Sequence, residues 1–218
     1  MEPNSPVEFM TSLALAFFAG SIPFGLIISR FFKVKNLRGQ GSGNIGATNV
    51  SRVLGFWPAG FITFCLDVAK GALPVLLITP IGCKAIALLF SGDSEVGNCS
   101  FNLPLQWAVG LFSILGHCFS PWVHFKGGKG VATGFGVALV LSSSAALMGI
   151  AGFILTFLST RISSLSSIVG LLLTAVAYLA LNPLGPHLWL GAAMLFVIFM
   201  RHEANIDALL QNKEKSFR

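Results

Sequence analysis

The sequence predicts an all-α integral membrane protein with about seven transmembrane helices, some of them short. The N-terminus is expected outside and the C-terminus in the cytoplasm. Three observations predict this. Of the 218 residues, 54% are hydrophobic and only 10% charged, whereas about a quarter of a soluble domain is charged. Apolar stretches near the roughly 20 residues that a bilayer crossing needs recur between short polar ones. The basic residues, finally, gather on one side of the resulting topology. Twenty phenylalanines against a single tyrosine suit packing against lipid. Met1 to Pro6 holds no Lys or Arg, so the positive region of a cleavable signal is lacking. The first apolar stretch is expected to remain as a span.

The spans follow in order as one membrane-embedded domain, 1–218. The first is expected at about 7–29 and is followed by a basic loop, Arg30 to Phe56. The second covers about 57–80. Residues 81–102 form a mixed outer segment with Asp93 and Glu95, and the third span covers about 104–123. A polar turn, HFKGGKG, occupies 124–130. The next 30 residues, Val131 to Thr160, are apolar and too long for one ordinary span, so Ser142 to Ser144 is read as a turn between two short helices. The sixth span is expected at about 164–181, NPLGPH at 182–187 as a turn, and the seventh span at about 187–200. A polar tail runs from Arg201 to Arg218.

Charge sets the orientation. Arg30, Lys33, Lys35, Arg38, Arg52, Lys126, Lys129, Arg161, Arg201, Lys213, Lys215 and Arg218 all fall on one side, twelve of the 14 basic residues. Basic residues mark the cytoplasmic side. The net charge of +6 is therefore a topology signal or a contact with anionic lipid, and it does not call for nucleic acid. Trp57, Trp107, Trp122 and Trp189 lie near predicted span ends, as in an aromatic belt. No C-x-x-C occurs among Cys65, Cys83, Cys99 and Cys118, so no metal or redox motif is present. Cys83 and Cys99 share the outer side, where either a disulfide or free thiols are allowed.

Three polar clusters fall on the cytoplasmic side, as if one site were assembled from three loops. The first, GQGSGNIGATNVSR (39–52), contains a literal G-x-G-x-x-G. A dinucleotide site would need a strand before it and a helix after it. What precedes it here is a membrane span, and the acid about 20 residues on, Asp67, is three residues from Lys70 and neutralised by it. The glycines Gly41, Gly43 and Gly46 would still let backbone N–H groups approach an anion. Ser42, Asn44, Thr48 and Asn49 add neutral donors, and Arg52 is suited to gripping a phosphate. A flexible turn with a helix cap is the plainer alternative. The second, GHCFSPWVHFKGGKGVAT (116–133), sets Lys129 among Gly127, Gly128 and Gly130 at the mouth of a helix, where an anion is favoured. It is not a Walker A loop, because Gly130 follows the lysine. His117 and His124 read as interfacial hydrogen-bonders. The third, RHEANIDALLQNKE (201–214), places His202 and Asn205 on one helix face. His202 and Asp207 make a literal H-x-x-x-x-D, but five residues turn a helix about 140° past a full turn, so the pair points apart. In RISSLSSI (161–168), Ser164 and Ser167 either donate to a ligand or bond back to their own helix.

Together these loops resemble those of the PlsY family, the membrane acyl-phosphate:glycerol-3-phosphate acyltransferases. The resemblance is carried by GSIPFG (20–25), GSGNIGATNVSR (41–52), DVAKGALPV (67–75), GHCFSPWVHFKGGKGVAT, TRISSLSSI (160–168) and RHEANI, in this order and over most of the chain. Two positions depart from it. Ala208 stands where the family often has arginine, and Asn212 where it usually has glycine before the final acid, Glu214.

The resemblance implies a seven-helix inner-membrane enzyme of bacterial phospholipid synthesis, with neither metal nor organic cofactor. It implies transfer of an acyl group from acyl-phosphate to the 1-hydroxyl of glycerol-3-phosphate, giving lysophosphatidate and inorganic phosphate on the cytoplasmic face. Its partners would be these substrates, membrane lipids and the enzyme that supplies acyl-phosphate. The expected catalytic residues are Ser42, Arg52, Lys129, His202 and Asn205. Arg52, Lys129, His202 and Asn205 would bind glycerol-3-phosphate with Ser167. Ser42 and the glycine loop (Gly41, Gly43, Asn44, Gly46, Thr48, Asn49) would hold the acyl-phosphate head, Gly127, Gly128 and Gly130 would add to the substrate site, and Glu214 would be structural. The hydroxyl proton would go to His202 or to a substrate phosphate. A transporter of organic phosphate is the rival reading, since intramembrane Asp67 and Lys70 suit one. Polar motifs gathered on one face, with no inverted repeat, speak against it.

Overall fold

The computed structural model describes residues 6–82, 84, 102–182 and 184–217. The expected outer segment, with Cys83, Cys99, Asp93 and Glu95, lies almost entirely outside them. Among the described residues there are helices and turns and no strand.

Helix α1 (Pro6–Ser21) and the short α2 (Phe24–Phe31) form the first apolar rod. It is broken at Ile22–Pro23, because proline has no N–H to continue the ladder. The break exposes the Ile22 carbonyl, which Lys70 fills (Nζ to O, 2.7 Å). Helix α3 (Ala47–Leu54) lies within what the sequence marked as a basic loop, and a single π turn (Phe56–Gly60) leads from it into α4 (Phe61–Leu77). Then come α5 (Leu103–Cys118), α6 (Val131–Leu141), α7 (Ser143–Thr160), α8 (Ser163–Leu181), α9 (Leu188–Met200) and α10 (Glu203–Leu210). The split between α6 and α7 occurs at Ser142, whose backbone is extended (φ −160°, ψ 91°).

Among the described residues, five segments are long and apolar enough to cross a bilayer: 6–31, 56–77, 103–123, 143–160 and 163–181. Helices α6 and α9 are equally apolar but have only 11 and 13 residues. At 1.5 Å per residue they reach about 16 and 20 Å, short of the roughly 30 Å hydrocarbon layer.

Small residues let the backbones close up, as is usual between helices in lipid. A Cβ on Gly20 or Gly116 would collide with backbone across the α1–α5 contact, and one on Gly71 or Gly136 across α4–α6. The core is centred on α5 and includes Trp107, Val109, Ile114, Val137, Met194 and Ile198. Trp107 thus departs from the expected aromatic belt. It is 6% exposed, with its ring 5.0 Å from Tyr178 and 5.3 Å from His187. Trp57, Trp122 and Trp189 are exposed. A position near a span end does not say which way the ring points, and at Trp107 two aromatic partners from other segments turn it inward.

Candidate active site

The basic loops converge at one end of the bundle. Ser120 Oγ donates to the Ser21 carbonyl (2.6 Å), and the Trp122 indole donates to Ser21 Oγ (2.7 Å). The Arg38 guanidinium donates to the Lys126 carbonyl. Arg201 donates from Nε to the Gly128 carbonyl (3.1 Å) and from Nη2 to the Gly127 carbonyl (2.9 Å). At this end a cleft of about 170 Å³ opens between the first loop, the start of α6, the start of α8 and the chain after α9.

In the first loop, Ser42, Asn44, Gly46, Thr48 and Arg52 line the cleft. Four N–H groups of the loop, those of Ser42, Gly43, Ile45 and Gly46, are however spent on the loop itself. Ser42 N donates to Asn49 Oδ1 (2.7 Å), Ile45 N and Gly46 N to Asn44 Oδ1 (2.6 and 3.3 Å), and Gly43 N to the Gln40 carbonyl (3.0 Å). This corrects the expectation that these N–H groups cradle a phosphate. Asn49 is corrected likewise. Fully buried, it donates from Nδ2 to the carbonyls of Leu37, Gln40 and Asn44 (3.3, 3.2 and 2.8 Å). All its polar capacity organises the turn. Gly41 (φ 60°) and Gly43 (φ 75°) adopt left-handed backbone outside the cleft lining, and a Cβ on Gly41 would strike Asn49. What the loop presents to the cleft is the first turn of α3: Gly46, where a Cβ would meet nothing within 4 Å, followed by Ala47 and Thr48. A helix N-terminus favours an anion there.

In the second loop, Gly127 and Gly128 are structural and do not line the cleft. Their N–H groups donate to the Cys118 and His117 carbonyls (3.0 Å each), and a Cβ on Gly128 would run into the His117 ring. The two glycines are present because the loop passes directly over the end of α5. Gly130, left-handed at φ 86°, turns the chain into α6 and does line the cleft. Lys129 projects into it half-buried, and its ammonium has no hydrogen-bond or ion-pair partner among the described residues.

The third region brings His202, Asn205 and Glu214 to the same cleft. His202 is 1% exposed, with Nδ1 2.8 Å from the Ile198 carbonyl. A carbonyl only accepts, so Nδ1 carries the proton and Nε2 keeps its lone pair in the neutral ring. Asp207 is exposed, so it stands apart from His202, as the helical spacing requires. Glu214 Oε1 accepts from Asn205 Nδ2 (2.7 Å) and from Ser164 Oγ (2.6 Å), tying the tail to α8. Ser167 lines the cleft, but its hydroxyl donates back to Ser163 (2.8 Å). Only its acceptor capacity remains.

The departure at Asn212 has a physical reason. Its φ is 54°. Asn212 N donates to the Leu209 carbonyl (3.0 Å) and Lys213 N to the Ala208 carbonyl (2.7 Å). That is a Schellman turn with a left-handed residue at its head, a place where asparagine substitutes for glycine. The other departure, at Ala208, leaves this closure intact because the turn uses its carbonyl.

At the floor of the cleft, whose lining includes Asp67 and His117, α4 and α5 bury a charged pair. Lys70 Nζ lies 2.9 Å from Asp67 Oδ1, with side-chain exposures of 4% and 2%, and His117 Nδ1 lies 3.8 Å from the same oxygen. His117 is therefore interior and not interfacial. An apolar cavity of about 270 Å³ runs on from the cleft and shares Gly134, Ala138, Leu171 and Thr174 with it. Among the described residues, no three His, Cys, Asp or Glu side chains converge as a metal site.

The family model described as glycerol-3-phosphate acyltransferase matches residues 10–212. The chain belongs to this family. It is 39% identical to the glycerol-3-phosphate acyltransferase of Anaeromyxobacter sp. (strain K), covering 93% of this chain and 94% of that one. It is also 39% identical to the one of Myxococcus xanthus (strain DK1622), covering 95% and 100%. Among solved structures it resembles PlsY (YgiH), an integral membrane glycerol 3-phosphate acyltransferase, in its glycerol 3-phosphate form. The TM-score is 0.80 at 33% identity, over 97% of this chain and 96% of that one. The lysophosphatidic acid form gives 0.79 at 32%. The chain is thus a multi-pass membrane protein of the acyltransferase family.

In this family member Arg52 and Lys129 line the cleft together with the acids Asp67 and Glu214. Burial lowers the Lys129 pKa to about 8, with Arg52 and Arg201 adding to the fall and Glu214 opposing it. Burial, opposed by Glu214, also lowers that of Arg52. His202 is pushed down to about 4, first by burial, so it is neutral at physiological pH. The protonated fraction of Lys129 falls as pH rises through about 8. If Lys129 holds a phosphate, KM for glycerol-3-phosphate should rise above pH 8, and the rise should disappear in Lys129→Arg, whose guanidinium stays charged. An unchanged KM up to pH 9.5 in the parent protein would contradict this.

Sequence reasoning missed three contributors: Ser164 as a partner of Glu214, Arg201 as the brace of the second loop, and the tail beyond Glu214. Arg201 was counted among the orientation charges, and nothing local distinguishes it from the others.

Proposed function

We propose that this chain transfers the acyl group of acyl-phosphate to the 1-hydroxyl of glycerol-3-phosphate, giving lysophosphatidate and inorganic phosphate. The observation that carries the reading is the Lys129 ammonium, half-buried and without an acceptor, facing Arg52 and the first turn of α3 across one cleft. A buried cation without a partner is costly, and a phosphate relieves that cost.

Arg52, Lys129, Asn205 and His202 bind glycerol-3-phosphate. Ser42, whose hydroxyl has no partner among the described residues, and the start of α3 hold the acyl-phosphate head. The alkyl chain lies in the adjoining apolar cavity. An acyl phosphate is a mixed anhydride with an activated carbonyl, so positioning and charge compensation do most of the work. The hydroxyl oxygen attacks the carbonyl carbon, the bond from that carbon to the phosphate oxygen breaks, and inorganic phosphate leaves. His202 Nε2 accepts the hydroxyl hydrogen bond and orients it. With a pKa of about 4 it is a weaker base than a phosphate oxygen, whose second pKa is about 6, and the proton goes to phosphate. His202→Gln should therefore raise KM for glycerol-3-phosphate and lower kcat by less than about tenfold. A kcat loss of a thousandfold at unchanged KM would make His202 the base.

We further propose that all seven apolar helices cross or enter the bacterial inner membrane, with the N-terminus outside and the cleft on the cytoplasmic face. The one-sided distribution of basic residues supports this. The test of function uses purified protein in lipid nanodiscs with palmitoyl-phosphate and glycerol-3-phosphate, following phosphate release and lysophosphatidate, with palmitoyl-CoA in parallel. Product that depends on both substrates, with no use of the CoA ester, is expected. Silence from protein verified as folded would overturn the reading.

A further inference from the structure

The last residues of the chain return across the cleft and touch Arg52. Its Nη2 donates to the Lys215 carbonyl (2.8 Å), and its guanidinium carbon lies 4.6 Å from the centre of the Phe217 ring. The strap is itself secured at several points. Phe217 N donates to the Arg161 carbonyl (2.7 Å), and the Phe217 ring stands edge-on to Phe157 at 5.4 Å. Lys215 Nζ donates to the Gly41 carbonyl (3.3 Å), which joins the strap to the glycine loop. Glu214, just before it, is held by Ser164 and Asn205.

From this arrangement we infer that the C-terminal strap, residues 213–217, is a positioning element for Arg52, with Phe217 as its anchor. The inference rests on the acyltransferase reading only for the ligand that Arg52 meets. A long arginine side chain on a short helix samples many rotamers, and ordering it on binding is unfavourable. The ring of Phe217 covers one face of the guanidinium, and the Lys215 carbonyl takes one of its five N–H donors. The remaining donors are left for a phosphate in a plane that the strap defines. The strap does this from a segment more than 160 positions away in sequence.

The experiment compares the full chain with Phe217→Ala, Phe217→Leu and Phe217→Tyr in nanodiscs at saturating palmitoyl-phosphate. It measures kcat, KM for glycerol-3-phosphate, and the unfolding midpoint with and without glycerol-3-phosphate. Phe217→Ala should raise KM about tenfold, the scale of a partly desolvated cation–π contact, with kcat within about twofold. Phe217→Tyr should restore the parent KM, and Phe217→Leu, which keeps bulk without the π face, should not. A parent KM in Phe217→Ala, or rescue by leucine as complete as by tyrosine, would overturn the inference. If the parent protein turns over nothing, the acyltransferase reading fails, and the strap is judged on the midpoint alone. A rise with glycerol-3-phosphate that is lost in the alanine and kept in the tyrosine variant supports it. Equal rises in all variants, or none in the parent, overturn it.

Discussion

Lys129→Ala is expected to lower kcat/KM for glycerol-3-phosphate by about 100-fold or more while leaving the unfolding midpoint unchanged or slightly raised. A charge-assisted contact to phosphate contributes roughly 1.5–3 kcal/mol, and a tenfold change corresponds to about 1.4 kcal/mol. The sign on stability follows from the same geometry. The ammonium is half-buried, has no partner among the described residues, and its pKa has fallen to about 8 through burial. It is therefore held in the folded state at a cost, and its removal relieves the cleft. A variant that lost activity together with several degrees of midpoint would instead mark Lys129 as part of the scaffold. One that saturated with glycerol-3-phosphate like the parent would remove it from the binding site.

Asp67→Ala is expected to be the most damaging single change to folding. It leaves Lys70 with its aliphatic stem buried in a spanning segment and no counter-charge, and the loss of one partner of a buried pair costs about 3–5 kcal/mol. Lys70 would keep the Ile22 carbonyl (2.7 Å) and the face of the Phe24 ring (5.6 Å to its centre), neither of which carries a counter-charge. The double variant Asp67→Ala/Lys70→Met removes both charges and should recover much of that loss, because an apolar replacement of a buried pair is often neutral. Unfolding of the two variants in the same lipid settles the matter. Equal instability of single and double variants would show that the site is needed for its shape and not for its charge balance. The His117 ring, 3.8 Å from Asp67 and packed beneath Gly128, links this pair to the loop that carries Lys129. The single variant should for that reason also lose activity before it unfolds.

Much of the site was legible in one dimension. Arg52, Lys129, His202, Asn205 and Glu214 occur in polar clusters between apolar runs, and the topology sends those clusters to one end. The structure places all five on the lining of one cleft. The division of labour within each cluster was not legible. Glycine in a polar loop signals either an anion or a close approach of backbone, and the residue type is the same in both cases. At Gly46 the open side is the cleft. At Gly127 and Gly128 it is occupied by the end of α5 and the His117 ring. Asn49 likewise has the chemistry of a ligand contact and is consumed by three carbonyls and one N–H of its own loop.

By itself the sequence determined the membrane class, the order of the long apolar segments, the turn at Ser142, and the family, because apolar run length and contiguous motifs are local properties. The tertiary structure alone decided that Trp107 faces the core and that α3 presents its first turn to the cleft. It alone joined Ser164 and Asn205 through Glu214, and brought Phe217 across 165 positions of sequence to lie on Arg52. These are pairings between segments that carry no common pattern. What selects them is complementary hydrogen bonding, charge and aromatic surface brought within reach of one another, and that selection operates only when the helices are packed together.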